Sequence, residues 1–299
     1  PLWHTLSLHD ALPICIPVVR VQHHHAHIAS VLAETKYTGK VIGVCFDGAG
    51  WGDDGQVWGG EFMVCDFRGY WRAAHLEYLP LPGGDATSRR PYRMAYVYLR
   101  NILGTGSTGL AGSLLKMKRP EIGVVDTMIR RGVNTPLTSS AGRMFDAAAA
   151  ILGICRENTY EGQAPAELEG ECRTGEEGFY DASISYSADE KTYILNGTEI
   201  IRQLLEDFTS GIAADVCASR FHNSLAAAIG RLCETIREEE NISAVALSGG
   251  VFANTRLVNK TSEVLLAAGF EPMFNSIVPP GDGGISLGQA AIASAERTR

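Results

Sequence analysis

Residues 21–62, VQHHHAHIASVLAETKYTGKVIGVCFDGAGWGDDGQVWGGEF, hold the pattern that decides the fold. HIASVLAE combines helix formers with an apolar stripe at Ile28, Val31 and Leu32. The β-branched run IPVVRVQ at residues 16–22 fits a buried strand, so a strand is expected to pass into a helix at the histidines. VIGVCFDG reads as a further strand, ending at Asp47 and Gly48. A turn rich in Gly and Asp follows, and QVWGGEFMVCDF and YWRAAHLEYLPL complete a three-stranded meander.

Working outward, the text after PLPGGD becomes mainly helical from residue 86 to about 240, as in FDAAAAILGI and FHNSLAAAIGRLCETIREEE, with one loop-rich patch, ENTYEGQAPAELEGEC. Strand and helix alternate again at the C-terminal end. SAVALSGG is a strand ending in two glycines, FANTRLVNKTSEVLLAAG a helix stopped by Gly269, EPMFNSIV a strand, and PPGDGGISLGQAAIASAE leads into a last helix. Alternation with glycines at strand ends predicts an α/β fold whose loops hold a ligand at the carboxyl edge of a sheet.

The composition is that of an ordinary folded protein: 299 residues, 45% hydrophobic and 20% charged, which excludes disorder and fibrous repeats. Lys and Arg number 26 against 34 Asp and Glu, a net charge of -8, so no general footprint for nucleic acid is present. Seven cysteines without a C-x-x-C pair fit free thiols in a reducing compartment. No run approaches a membrane span and no signal segment opens the chain, which points to the cytoplasm. Residues 1–15, PLWHTLSLHDALPIC, lack any helix or strand period and resemble a translated sequencing-adapter read-through; they are read as non-native rather than as a surface arm.

Four of the eight histidines, His23, His24, His25 and His27, fall within five positions. On a helix, His23 and His27 stand at i and i+4, the spacing that lets two imidazoles share one metal ion. The residues between them include no Glu, which argues against a zinc-protease pattern. The best carboxylates to complete the site are Asp47 in DGAGWGDDG and Asp282 in PPGDGGISLG; an isolated Asp-Gly is more often a turn former or a helix N-cap, and the glycine-rich setting is what favours a ligand here. The 33 glycines, about 11% against a usual 7%, concentrate in three loops around Gly48 and Gly50, Gly249 and Gly250, and Gly281 to Gly284, which suggests a nucleotide site. None matches a Walker A or Rossmann pattern. Arg90 and Arg93 in RRPYRMA are candidates to bind phosphate or other anionic oxygens, or to form surface salt bridges.

As a hairpin, the first glycine loop resembles the phosphate-binding hairpins of the actin-like, sugar-kinase and heat-shock ATPase superfamily. Taken together, VQHHHAHIASV, FDGAGWGDDGQVWGGEF, LPLPGGDATSRRPYRMA, TSSAGRMFDAAAAILG, YEGQAPAELE, ALSGGVFANTRL and PPGDGGISLGQA resemble, in that order, the C-terminal transferase region of the HypF carbamoyltransferases of nickel–iron hydrogenase maturation. That region is similar to the family that makes threonylcarbamoyl adenosine in transfer RNA. The resemblance implies an actin-like fold of ribonuclease-H-like lobes with a mainly helical insertion. Residues 16–40 would be a remnant of the first lobe and 41–299 the second lobe, with the insertion at about 86–240.

By the same resemblance, His23, His27 and Asp282, with Asp47, hold one divalent metal ion, zinc or iron. Gly48, Gly50, Gly249, Gly250 and Asn254 line the nucleotide, and Gly142 and Asp146 lie near its ribose. The implied reaction passes a carbamoyl group from carbamoyl adenylate, made with ATP at an upstream domain, to the C-terminal cysteine of HypE. No nucleophile from this chain is required. The sequence contains no acylphosphatase-like, zinc-finger or adenylate-forming region, so a truncated form is expected. A transfer-RNA threonylcarbamoyl transferase and a non-catalytic ATP-binding protein are the rival readings. The triple histidine, the YEGQAPAELE loop and the acidic charge speak against the transfer-RNA enzyme.

Overall fold

The computed structural model describes residues 18–297. Its first helix, α1 (His23–Thr35), begins where the Gln22 side-chain oxygen accepts the His25 amide at 2.9 Å, satisfying one of the donors that a helix leaves open at its start. β1 (Val41–Trp51), β2 (Val57–Asp66) and β3 (Gly69–Leu76) then form the expected antiparallel meander. Short strands β4 (Leu79–Pro80) and β5 (Leu137–Thr138) bracket α2 (Pro91–Leu103), α3 (Ser107–Ser113) and α4 (Arg119–Arg131). Next come α5 (Ala141–Ile151), α6 (Gln163–Gly170), β6 (Ile184–Ser187), β7 (Thr192–Leu195), α7 (Gly197–Thr209) and α8 (Ala214–Glu240). β8 (Ala244–Ser248), α9 (Thr255–Ala267), β9 (Glu271–Phe274) and α10 (Ile285–Arg297) complete the order.

The strands make one mixed sheet, ordered β6-β7-β3-β2-β1-β8-β9, with β5 pairing β2 and β4. β8 runs parallel to β1 and β9 parallel to β8, so the carboxyl ends of β1 and β8 lie side by side. Successive side chains of β1 face opposite sides of the sheet. Ile42, Val44 and Phe46 join Phe62, Met144, Phe145, Phe221 and Leu225 in the main core, while Val41 and Cys45 join Met63, Cys65 and the α1 stripe Ile28, Val31 and Leu32. Burying one such large aliphatic or aromatic side chain contributes about 1.5–3 kcal/mol. Both faces of the sheet are therefore covered, which is why β1 reads as a continuous apolar run.

Three expectations need correction. Residues 18–22 of IPVVRVQ form no strand: β2 and β8 occupy both sides of β1, and Val18 is 45% exposed; residues 1–17 lie outside the described chain. The helical stretch holds a hairpin, β6 and β7, that extends the sheet beyond β3. Its strands are only four residues each, too short for alternation to stand out. Asp47 does not end β1. It sits in a register shift between Phe46 and Gly50, after which the strand continues to Trp51.

Candidate metal centre

α1 presents His23 and His27 one turn apart, with their Nε2 atoms 3.2 Å from each other. The irregularity in β1 turns Asp47 toward them, its Oδ2 lying 3.2 Å from His23 Nε2 and 3.8 Å from His27 Nε2. Asp282, in the turn before α10, brings Oδ1 to 3.6 Å from both nitrogens. The ligand atoms of all four residues fall within 4.8 Å of one another. Metal bonds of about 2.0–2.2 Å in a tetrahedral site give edges of roughly 3.3–3.6 Å, and the separations of 3.2 to 3.8 Å between these atoms scatter around that span. Two imidazole nitrogens face each other beside two carboxylates, a donor set that could hold one cation.

The electrostatics follow from the same convergence. Burial lowers the pKa of His23, but the hydrogen bond and charge of Asp47, with the charge of Asp282, outweigh it and raise the value. Burial also opposes ionisation of Asp47, yet the hydrogen bond from His23 and the charges of His27, His23 and His24 hold it well below the usual carboxylate range. Asp282 is lowered chiefly by its hydrogen bond with His27. His24 faces away toward Trp58, and burial pulls its pKa down to about 4. His25 donates to the Asp66 carbonyl at 2.7 Å, tying α1 to the β2–β3 turn. Two of the four clustered histidines are thus structural.

The glycine loops meet at this centre. Gly250 donates its amide to Asp47 Oδ1 at 3.0 Å. A Cβ on Gly142 would stand 2.9 Å from Gly48 Cα, and one on Gly50 would stand 2.5 Å from the His23 ring. Gly249 has φ +99° and lies so close to the Phe46 carbonyl that a Cβ would come within 2.2 Å of the oxygen. A Cβ on Gly48 would meet nothing within 4 Å. Asn254 is engaged internally: its Oδ1 caps α9 by accepting the Leu257 amide, and its Nδ2 donates to His222. Asp146 is one turn along α5 from Gly142, fully buried, with Oδ2 2.9 Å from Arg143 Nε, and burial pushes its pKa up to about 6. Neither Arg90 nor Arg93 forms an ion pair among the described residues, and the buried Arg93 Nε has no hydrogen-bond partner.

Sequence reasoning missed the groups that fix Asp47 from behind. Ser140 donates to the Asp47 and Gly48 carbonyls at 3.0 and 2.7 Å while accepting the Arg143 amide, so the N-cap of α5 also pins β1. Glu61 is wholly buried; it accepts the Gly59 and Gly60 amides at 3.1 Å, the Ser139 hydroxyl, and Arg72 Nε. Arg72 in turn stacks 4.1 Å above Trp58. The signal was available in the lone charge inside GGEFMVC, since buried acids are almost always paired. Cys45, Cys65, Cys155, Cys217 and Cys233 are buried, and burial raises the pKa of each as well as that of half-buried Cys172, so no described thiol is activated.

The family model described as "Carbamoyltransferase, Kae1-like Domain, second subdomain" matches residues 43–289. A carbamoyltransferase HypF homolog from Cupriavidus necator is 36% identical over 96% of this chain and 74% of its own length. Carbamoyltransferase HypF2 of the same organism is 37% identical over 93% of this chain but only 36% of its own, so the chain spans little more than a third of that relative. A crystal structure of full-length HypF in the phosphate- and nucleotide-bound form superposes with a TM-score of 0.91 at 39% identity, over 97% of this chain and 38% of that one. HypF of T. kodakarensis gives 0.86 at 30% identity. The mixed sheet with helices on both faces is the actin-like, Kae1-like fold that the motifs implied.

Proposed function

The chain belongs to the HypF carbamoyltransferase family, and from that premise we propose that it passes a carbamoyl group from carbamoyl adenylate to the C-terminal cysteine thiol of HypE, toward the cyanide ligands of nickel–iron hydrogenase. The observation that carries this reading is the convergence of His23, His27, Asp47 and Asp282 beside Gly48, Gly142 and Gly250. Those four side chains would hold one divalent cation, which when bound supplies positive charge to the leaving phosphate. Its identity is left between zinc and iron by two imidazoles and two carboxylates.

In the proposed reaction the acceptor sulfur forms a bond to the carbamoyl carbon, the carbon–oxygen bond to AMP breaks, AMP leaves with the bonding pair, and the thiol proton passes to water. The chain's part is to orient the mixed anhydride and exclude competing geometry. Gly48, with nothing in front of its Cα, leaves room for phosphate oxygens against the backbone, and Gly50, Gly249 and Gly250 continue that lining. The resemblance alone assigns Gly142 and Asp146 to the ribose and Asn254 to the nucleotide, Asn254 being engaged with Leu257 and His222 and Asp146 buried against Arg143. The attacking thiol must come from the acceptor, because the chain's own described thiols are held protonated. The match to a second subdomain supports reading residues 41–299 as the second lobe and the α1 histidines as a contribution from the first. No described helix is long and apolar enough to cross a membrane, and a cytoplasmic site of action is part of the proposal.

The test supplies the adenylate-forming region in trans with carbamoyl phosphate and ATP, adds HypE, and weighs HypE by mass spectrometry. A gain of one carbamoyl group that disappears in His23→Ala and Asp282→Asn is the expected result. No gain, under conditions where a full-length HypF labels HypE, would overturn the proposal.

A further inference from the structure

Of the four clustered ligands, Asp282 is the one that burial does not hold: its side chain is 77% exposed, against 0% for His27 and 9% for Asp47. Its place is set by α10, into which it leads, and by the segment before it. That segment leaves β9 at Phe274 and runs through Asn275, Ser276, Ile277 and Val278 to the two prolines before Asp282, with Ile277 85% exposed and contributing little packing. It is held from two sides: from the end of β8, where the Gly249 amide donates to the Pro280 carbonyl at 3.0 Å and the Ser248 hydroxyl to Asn275 Oδ1 at 3.0 Å, and from α1, where one carboxylate takes five donors. Glu34 Oε1 accepts the Ser276 amide at 2.7 Å, the Ser276 hydroxyl at 2.6 Å and the Ile277 amide at 2.8 Å, and Oε2 accepts the Val278 amide and Asn275 Nδ2 at 3.2 Å.

Glu34 belongs to α1, the helix of the two histidines. His23, His27, Ser30 and Glu34 are spaced i, i+4, i+7 and i+11, which places them in one stripe along the helix. Ser30 continues the connection by donating to the His27 carbonyl at 2.7 Å and accepting Asn275 Nδ2 at 3.3 Å. Burial opposes ionisation of Glu34, but the hydrogen bonds from Ser276, Ile277 and Asn275 outweigh it and lower its pKa to about 2, so the carboxylate is charged at neutral pH. A carboxylate taking three backbone amides, a hydroxyl and an amide side chain is a fully used acceptor.

We propose that Glu34 is a positioning residue for the metal centre: its carboxylate fastens residues 275–278 to the helix that carries His23 and His27, and so helps fix where Asp282 stands. This role rests on the metal-binding reading of the four ligands. Outer partners that orient a metal ligand are typically worth ten- to a hundredfold in metal affinity.

The test titrates the chain with Co(II), following its visible absorption, in the wild type, Glu34→Gln, Asp282→Asn and the double variant, and follows hydrogen exchange at the Ser276, Ile277 and Val278 amides without metal. Glu34→Gln is expected to speed exchange at those amides and to weaken Co(II) binding about ten- to a hundredfold. The double variant should bind no more weakly than Asp282→Asn alone, because both changes act through one ligand. Effects that add, wild-type affinity in Glu34→Gln, or unchanged exchange would each overturn the positioning role. Should Glu34→Gln not fold, Ser276→Ala removes the hydroxyl bond from the exposed side and must move both readouts in the same direction by less. A wild type that binds no Co(II) would sink the metal reading itself, and the positioning role with it.

Discussion

Replacing Gly288 by alanine should loosen the fold and the metal centre together. Gly288 lies on α10 where that helix crosses α1, and a Cβ there would stand 1.9 Å from the Ala26 carbonyl oxygen, 2.8 Å from its carbon and 2.9 Å from the Ser30 amide nitrogen. All three are backbone atoms of α1, so no side-chain rotation relieves the clash. Recovering an ordinary contact of about 3.4 Å requires the helices to part by roughly 1.5 Å, and overpacking on that scale costs about 1–3 kcal/mol. Ala26 adjoins His27, and Asp282 enters α10 one short turn before it begins. The 3.6 Å edges between Asp282 and the two histidines would then open toward about 5 Å, beyond the span that bonds of about 2.0–2.2 Å to one ion can bridge.

Urea unfolding followed by circular dichroism should show a lower midpoint with an unchanged slope, and Co(II) titration at a concentration where the variant is still folded should show at least a tenfold weaker site. Gly123→Ala, in α4 with nothing near the added methyl, is the control and should stabilise by about 0.5–1 kcal/mol. A Gly288→Ala protein that matches the wild type in both midpoint and affinity would refute the reasoning.

Two further substitutions separate folding from binding. Gly48→Ala meets nothing within 4 Å and lies at an unstrained φ, so the urea midpoint should stay within about 0.5 kcal/mol of wild type while nucleotide affinity, read by calorimetry, falls at least tenfold; unimpaired binding would remove Gly48 from the nucleotide site. Asp146 tests the interior electrostatics. Its pKa is raised from 3.8 to about 6 by burial, so between those values the folded chain holds a proton that the unfolded chain has lost, and stability falls as pH rises through the window. The shift corresponds to roughly 3 kcal/mol, and the stability of Asp146→Asn relative to wild type should climb by that order between pH 4 and 7, whatever constant cost the change carries for Arg143. Measuring both proteins at each pH cancels the carboxylates they share, and a difference that does not vary with pH would contradict the burial argument.

What could be read in the sequence was whatever has a local period or a spacing. The meander, the α1 stripe and the His23–His27 pair are of that kind, since each depends on residues within a turn or a strand of one another. IPVVRVQ shows the limit: β-branched residues report a local preference, while a strand also needs a neighbour with free backbone groups, and β1 had none to offer. Asp47 and Asp282 had no local signal beyond Asp-Gly in a glycine-rich setting, which is commonly only a turn; that setting made them the best candidate carboxylates, and the resemblance then assigned them to the metal. Glu34 was less legible still, because three of the five donors it satisfies are backbone amides, which any residue except proline supplies.

The glycine excess was visible as a number, but its meaning changes with the structure. Read as text, Gly50, Gly142 and Gly249 are amides offered to a phosphate. In the fold they are also places where backbone meets backbone or a histidine ring, and Gly59, whose Cβ would lie 2.6 Å from the Asp47 carbonyl, and Gly288 do the same. A metal centre assembled from α1, β1 and the turn before α10 needs those elements closer than side chains allow, so the glycines near it serve the positions of Asp47, His23 and Asp282 as well as any nucleotide lining. It follows that alanine at Gly142, Gly249 or Gly288 cannot distinguish a binding defect from a folding defect, whereas Gly48 opens onto free space and can.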